Sequence, residues 1–257
     1  MGKQAKCRAY RHAVRSGIIV VVSAGNFGTN PTTGAIGYAG ITSPGNAPSA
    51  ITVGASMSLA TASRLDDDVA PFSSRGPTWY DGFAKPDVVA PGVNLISLAT
   101  ANSYLYRTYP TRDVVVSGRT YLRLSGASMA TAVTSGLVAT VLQAHADTAQ
   151  TFRVAEPAVS PAAVKALLEY SATPLADADA LTQGRGEANG EGALRAARLA
   201  VALWADPSYA TTHPTELVHQ SVFAGTPAVW ANNIVWGENI VWGENIVWGE
   251  NIVWGEN

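Results

Sequence analysis

Five consecutive β-branched residues, Ile18 to Val22, constrain what this 257-residue chain can fold into more than any other feature. A strand with one wet face alternates apolar and polar residues, so an unbroken apolar run requires burial on both faces. A parallel sheet covered by helices on two sides provides that burial. Ala50–Gly54 and Val88–Ala90 read as two further short strands of the same kind. The stretches Gly25–Pro48 and Pro71–Pro86 are rich in Gly, Pro and Ser and are expected to run as long surface loops. Loops of this length in a compact domain usually carry function. Upstream, Met1–Arg15 carries Lys3, Lys6, Arg8, Arg11 and Arg15 and no acid, with Ala5, Ala9, Ala13 and Val14 on one side. The pattern predicts a short basic helix stopping at Gly17. The apolar run behind it is too short for the core of an export signal, so no compartment is specified.

The second half reads differently. Tyr121–Leu124 is a further strand candidate and is followed directly by Ser125-Gly-Ala-Ser128. From there Met129, Val133, Leu137, Val138, Val141 and Leu142 recur at helical spacing, predicting a buried helix to about His145. Ser160-Pro161 opens another helix, with serine as N-cap and proline in the first turn. A glycine-rich turn, Gly184–Gly192, leads into a last alanine-rich helix through Leu203. The expected architecture is α/β with three layers, a partial parallel sheet flanked by helices. Residues 1–203 would form the globular part and 204–232 a connector. Residues 233–257 repeat Asn-Ile-Val-Trp-Gly-Glu four times. An even period in an extended strand puts Ile, Trp and Glu always on one face, so the tail is expected to be sticky or associative.

Composition removes several function classes. Charged residues are only 14% and the net charge is −2, which leaves no basic surplus to neutralise a nucleic acid. Cys7 is alone, excluding an internal disulfide and a cysteine-built zinc site. No stretch reaches the roughly 18 apolar residues of a membrane span. Asp66, Asp67 and Asp68 read as a solvated loop, because no further oxygen ligands are spaced around them in a calcium pattern. No cofactor is expected. Asp87 reads as a loop cap, and Trp79 and Tyr80 as packing or rim residues.

Chemistry concentrates in three segments. They are Ser23-Ala24-Gly25-Asn26, then Phe72–Pro77 with Lys85–Gly92, then Ser125-Gly-Ala-Ser-Met-Ala130. A serine at a helix start after a sharp glycine turn has an exposed hydroxyl beside unsatisfied N–H groups. Those donors and the helix dipole suit a nucleophile whose reaction develops an oxyanion. An asparagine on a loop after a rigid strand can supply a second donor.

In order and text these segments resemble the subtilisin-like serine proteases (subtilases, peptidase family S8). The resemblance covers roughly residues 5–203, which corresponds to the C-terminal half of that family's catalytic domain. It implies that Ser128 is the acylating nucleophile and Asn26 the oxyanion-hole amide, with peptide or protein as substrate. Ser23, Ala24 and Gly25 would form one wall of the pocket for the side chain before the scissile bond. Two positions depart from the family pattern: Ala127 stands where Thr is usual, and Ala132 where Pro is usual.

A serine nucleophile needs a base, and the base needs an orienting partner. The family's Asp-Thr-Gly and His-Gly-Thr-His motifs, which precede the serine, do not occur here. His12 is the only histidine before Ser128, and His145 would lie about 25 Å along the same helix at about 1.5 Å per residue. The chain therefore reads as half an active site, expected to be inactive alone and to require an N-terminal half carrying Asp and His. A non-catalytic pseudoprotease fragment or association module is the main alternative. An α/β-hydrolase using Ser128, Asp177 or Asp179, and His213 in that order is a further one.

Overall fold

A computed structural model describes residues 3–231 apart from positions 60, 62, 65, 101, 156–158 and 218. The hexapeptide tail at 233–257 lies outside the described residues. Helix α1 (Lys3–Arg15) ends in a glycine turn: Gly17 has φ +85°, Gly17 N–H donates to Val14 O, and Ile18 N–H donates to Ala13 O. This double bond is the Schellman arrangement, which only a residue tolerant of positive φ closes without strain. Only the last two residues of the β-branched run, with Ser23 after them, form strand β1 (Val21–Ser23).

β1 pairs in parallel with β2 (Ile51–Met57), Val21 opposite Ile51 and Ser23 opposite Val53. On the other side of β2 lies β4 (Val88–Pro91), also parallel, with Val53 opposite Val88. The two-residue β3 (Asp68–Val69) adds antiparallel at the far end of β2. Residues Ile51 to Ser56 of β2 are all buried, as a strand covered on both faces must be. One face packs against α3 (Ala127–Phe152), α4 (Pro161–Ser171) and α6 (Gly190–Ala205), joining Val53, Ala55, Val88 and Ala90 to Ala130, Val138, Val164, Leu168 and Ala197. On the other face Tyr10 of α1 packs against Val22, Ala47 and Ala50. The α/β layering is as the sequence implied.

Several elements differ from expectation. The strand before Ser125 is β7 (Arg119–Leu124), and it belongs to a separate antiparallel sheet with β5 (Leu95–Leu98) and β6 (Asp113–Val116). A short helix, α2 (Tyr104–Thr108), precedes β6. α3 runs seven residues past His145, because Ala149 still finds a buried position. α3 is also long and apolar enough to cross a membrane by composition alone. Its buried side, Ala127, Ala130, Thr134, Val138 and Val141, packs within the core and marks a core helix.

The loop Pro71–Pro86 is not a surface loop throughout: Ser73, Ser74, Arg75, Thr78 and Lys85 are buried. Trp79 and Tyr80, by contrast, are exposed. Asp87 does more than cap a loop. It accepts from Thr52 N–H at 2.6 Å and is ion-paired with Lys85 at 2.7 Å and Lys165 at 2.9 Å inside the fold.

Residues 204–231, expected as a connector, are folded onto the helices. After α5 (Ala180–Gln183) and α6 come α7 (Tyr209–Thr212), a 3-10 turn, and a hairpin of β8 (Gln220–Phe223) and β9 (Thr226–Val229). Trp230 is buried, and its Nε1–H donates to Ser221 Oγ, which also accepts from Asn189 Nδ2 at the start of α6. Tyr170 of α4 bonds His219. A buried indole with its N–H satisfied anchors the hairpin.

Candidate active site

Two backbone turns meet at the C-terminal end of the parallel strands. The first follows β1. Ala24 N–H donates to Val53 O at 2.8 Å, and Gly25 then turns with φ +106°. Ser74 holds this turn from below: its N–H donates to Gly25 O, and its Oγ accepts from Phe27 N–H at 3.0 Å. Three residues past Gly25, Gly28 lies against the backbone of the Pro71–Ser73 segment. A methyl group there would sit 2.0 Å from Ser73 O and 2.6 Å from Pro71 O. Arg75 locks the same crossing, donating to Gly28 O at 2.9 Å. Gly28→Ala is therefore expected to unseat the loop carrying Asn26 and cost about 3 kcal/mol or more. Gly37→Ala, where an added methyl meets nothing within 4 Å, is the control. Urea unfolding of both variants checks the prediction.

The second turn opens α3. Gly126 N–H donates to Gly92 O at 2.8 Å, which ties the Pro86–Gly92 segment to the helix start. The first four N–H groups of a helix lack intrahelical partners. Here Met129 and Ala130 N–H turn back to Gly126 O, at 2.9 and 3.4 Å. Ala127 N–H donates to Asn26 Oδ1 at 2.8 Å, across 101 residues of chain. Among the described residues Ser128 N–H and Ser128 Oγ have no hydrogen-bond partner, and the residue is exposed.

The Asn26 bond also orients the amide. A backbone N–H can only donate, so the atom facing Ala127 must be the carbonyl oxygen. Nδ2 is thereby directed away from Ala127, and it makes no hydrogen bond among the described residues. The result is an exposed hydroxyl on a helix N-terminus, flanked by one free backbone donor and one free amide donor. That set can hold an oxyanion formed on a carbonyl attacked by the hydroxyl. Ser23, Ala24 and Gly25 lie on the same turn, immediately before Asn26.

The histidines are elsewhere. His12 is in the last turn of α1, His145 is buried on α3, and His219 bonds Tyr170. His213 stacks on Tyr209 at 4.0 Å, and Tyr209 packs on Phe152 at the far end of α3. From Ser128 to Phe152 the helix spans about 36 Å at about 1.5 Å per residue. His213 thus cannot reach Ser128, which removes the Ser–Asp–His order of an α/β-hydrolase. Asp179 caps α5 through Thr182 N–H and accepts from Tyr38 OH, while Asp177 is exposed. The acidic trio has local partners: Asp66 accepts from Thr61 OH, Asp67 pairs with Arg64, and Asp68 accepts from Val69 N–H. What sequence reasoning missed is Ser74, whose role depends on a crossing that neither segment's pattern reveals.

A serine at the start of a core helix thus stands beside an asparagine amide at the C-terminal end of a parallel sheet. The family model described as "Subtilase family" matches residues 2–192, and the chain belongs to this family. It is 41% identical over 187 residues to serine protease AprX of Bacillus subtilis (strain 168), covering 73% of this chain and 37% of that protein. It is 32% identical over 194 residues to subtilisin DY of Bacillus licheniformis, covering 76% of this chain and 53% of that one. Among solved structures, the prenylagaramide maturation protease PagA shares the fold at a TM-score of 0.52 and 22% identity, covering 74% of this chain and 54% of that one. The chain thus spans between about a third and a half of these relatives' length.

Proposed function

We propose that Ser128 is the acylating nucleophile of a peptide-cleaving site, with Asn26 Nδ2 and Ser128 N–H holding the oxyanion. Ser23, Ala24 and Gly25 form one wall for the substrate side chain preceding the scissile bond. The observation that carries this reading is the Ala127 N–H to Asn26 Oδ1 bond, which draws the two segments together and leaves both donors open. The base and its orienting acid must come from outside these 257 residues, since the family's Asp and His motifs do not occur in them. Two features support a site for such a segment. β1 pairs with β2 alone among the described strands, and α3 leaves Val133, Ser135, Gly136, Ala139 and Thr140 uncovered. An N-terminal half carrying Asp and His would add there.

A serine hydroxyl is a weak nucleophile at its free pKa without a base. The purified chain is expected to turn over no peptide substrate and to react slowly, at Ser128 alone, with a fluorophosphonate probe. Ser128→Ala abolishes that labelling. Stoichiometric labelling with peptide turnover would sink the inactivity of the isolated chain. Labelling that survives Ser128→Ala would sink the assignment of the nucleophile.

A further inference from the structure

A cleft of about 410 Å³ opens beside the oxyanion donors, and its walls include Asn26, Gly126, Asn94, Arg112, Asp113 and Arg123. None of Ser23, Ala24 and Gly25 lines it, so it receives a different part of a bound peptide from the wall those residues form. Gly126 and Asn26 stand at its edge. With the residue before the scissile bond assigned to Ser23–Gly25, this cleft is left for the leaving-group side of a peptide whose carbonyl is held at Asn26 and Ser128 N–H.

The cleft is built by the antiparallel sheet inserted before α3. Asp113 of β6 pairs with Leu122 of β7, and next to this pair lie Arg112, the last residue of a 3-10 turn (Pro110–Arg112), and Arg123 of β7, both lining the cleft. Neither arginine forms an ion pair among the described residues, and the Arg112 guanidinium rests on the ring of Tyr109 at 5.4 Å. Asp113, the acid at the same place, pairs with neither, and its Oδ1 is buried without a hydrogen-bond partner. Two unpaired guanidinium groups on one wall, each a planar fork of donors, match the geometry of a carboxylate.

We infer that Arg112 and Arg123 are specificity residues that bind a carboxylate on the leaving-group side of the scissile bond. This rests on the peptide-cleaving reading of Ser128 and Asn26. The carboxylate is either an acidic side chain or the C-terminus of the peptide, and a binding experiment separates the two. Fluorescence anisotropy of labelled peptides with the full chain would compare Glu, Gln and Lys at the leaving-group position, all C-terminally amidated. A fourth peptide carries Gln and a free C-terminal carboxylate. The Glu peptide is expected to bind about tenfold tighter than the Gln peptide, with Lys weakest, consistent with charge-assisted hydrogen bonds. If the free-acid peptide gains instead, the carboxylate is the C-terminus. In either case Arg112→Gln/Arg123→Gln collapses the difference below about twofold while the variant unfolds like wild type, since both residues are exposed and neither holds an ion pair among the described residues. Equal binding of all four peptides, or a preference that survives the double variant, overturns the assignment. Failure of every peptide to bind at millimolar concentration overturns the peptide-cleaving reading itself, and the assignment with it.

Discussion

Asp87→Ala is expected to remove a large fraction of the chain's stability at neutral pH. The carboxylate neutralises Lys85 and Lys165, and the Lys85 and Asp87 side chains are only 3% and 5% exposed. Removing one partner of such a group leaves buried charge without compensation, at about 3–5 kcal/mol. Whole domains have only about 5–15 kcal/mol of stability, so this loss is a large fraction of the total. Burial would raise the Asp87 pKa, but Lys165 and Lys85 hold it below its ordinary value, helped by Thr52 N–H. A carboxyl with a depressed folded pKa contributes stability above its unfolded pKa of about 4, and the contribution vanishes as pH falls through the lowered value. The gap between wild type and variant should accordingly hold from pH 7 to about 4 and close only below that. Burial pulls Lys85 down to about 8 even with Asp87 beside it. Without Asp87 it falls further, and the unfolded chain then binds the extra proton, so the variant regains stability as pH rises. Urea titrations followed by circular dichroism at pH 4, 7 and 9 measure this. A cost under about 1 kcal/mol at pH 7 would show that the ion network does not hold the fold.

That network shows where reading a sequence stops. Whereas β2 also buries Thr52 and Ser56, the burial of β4 was legible because it is written locally, in unbroken apolar residues. The same is true of α4, whose Ser160 accepts from Ala163 N–H as its N-cap pattern predicts. Lys85 and Asp87 look like a solvated turn in the sequence. Their partner Lys165 is nearly 80 residues away, and charge carries no local sign of which partner will bury it. Trp230 was hidden in another way. It falls in residues 204–232, which read as a connector, whereas packing against Gly192 assigns it to the core. At the site, Asn26 and Ser128 were each recognisable by their motifs. Their meeting through Ala127 spans 101 residues and depends on the turns that Gly25 and Gly126 make at positive φ. That Arg112 and Arg123 line one cleft depends on the β6–β7 register, which follows from the turn at Ser117 and Gly118, both at positive φ, and not from alternation in either strand.

Joining residues 1–231 to the remainder of a subtilase catalytic domain, such as that of the Bacillus subtilis relative, should convert an inert chain into a peptidase. A positioned base and its acid are the two functions that these residues lack, and the open edge of β1 is where added strands would pair. Ser128→Ala in the hybrid should then abolish turnover beyond the residual rate that binding and oxyanion donors alone sustain. The sharper test is Asn26→Leu, which keeps the side-chain volume and removes the amide. Loss of one oxyanion donor lowers kcat by about 10²–10³, with KM little changed, because the bond forms in the transition state and not in the ground state. Leucine also leaves Ala127 N–H without its acceptor, at about 1–3 kcal/mol if that group stays buried. Folding and catalysis are therefore read separately: urea unfolding gives the first loss, kcat the second. Asn26→Asp distinguishes them further, since it retains an acceptor for Ala127 and replaces the donor with an anion. It should unfold like wild type while being at least as inactive as the leucine variant. A folded hybrid that cleaves peptides equally well with Asn, Leu or Asp at position 26 would show that the oxyanion is held elsewhere.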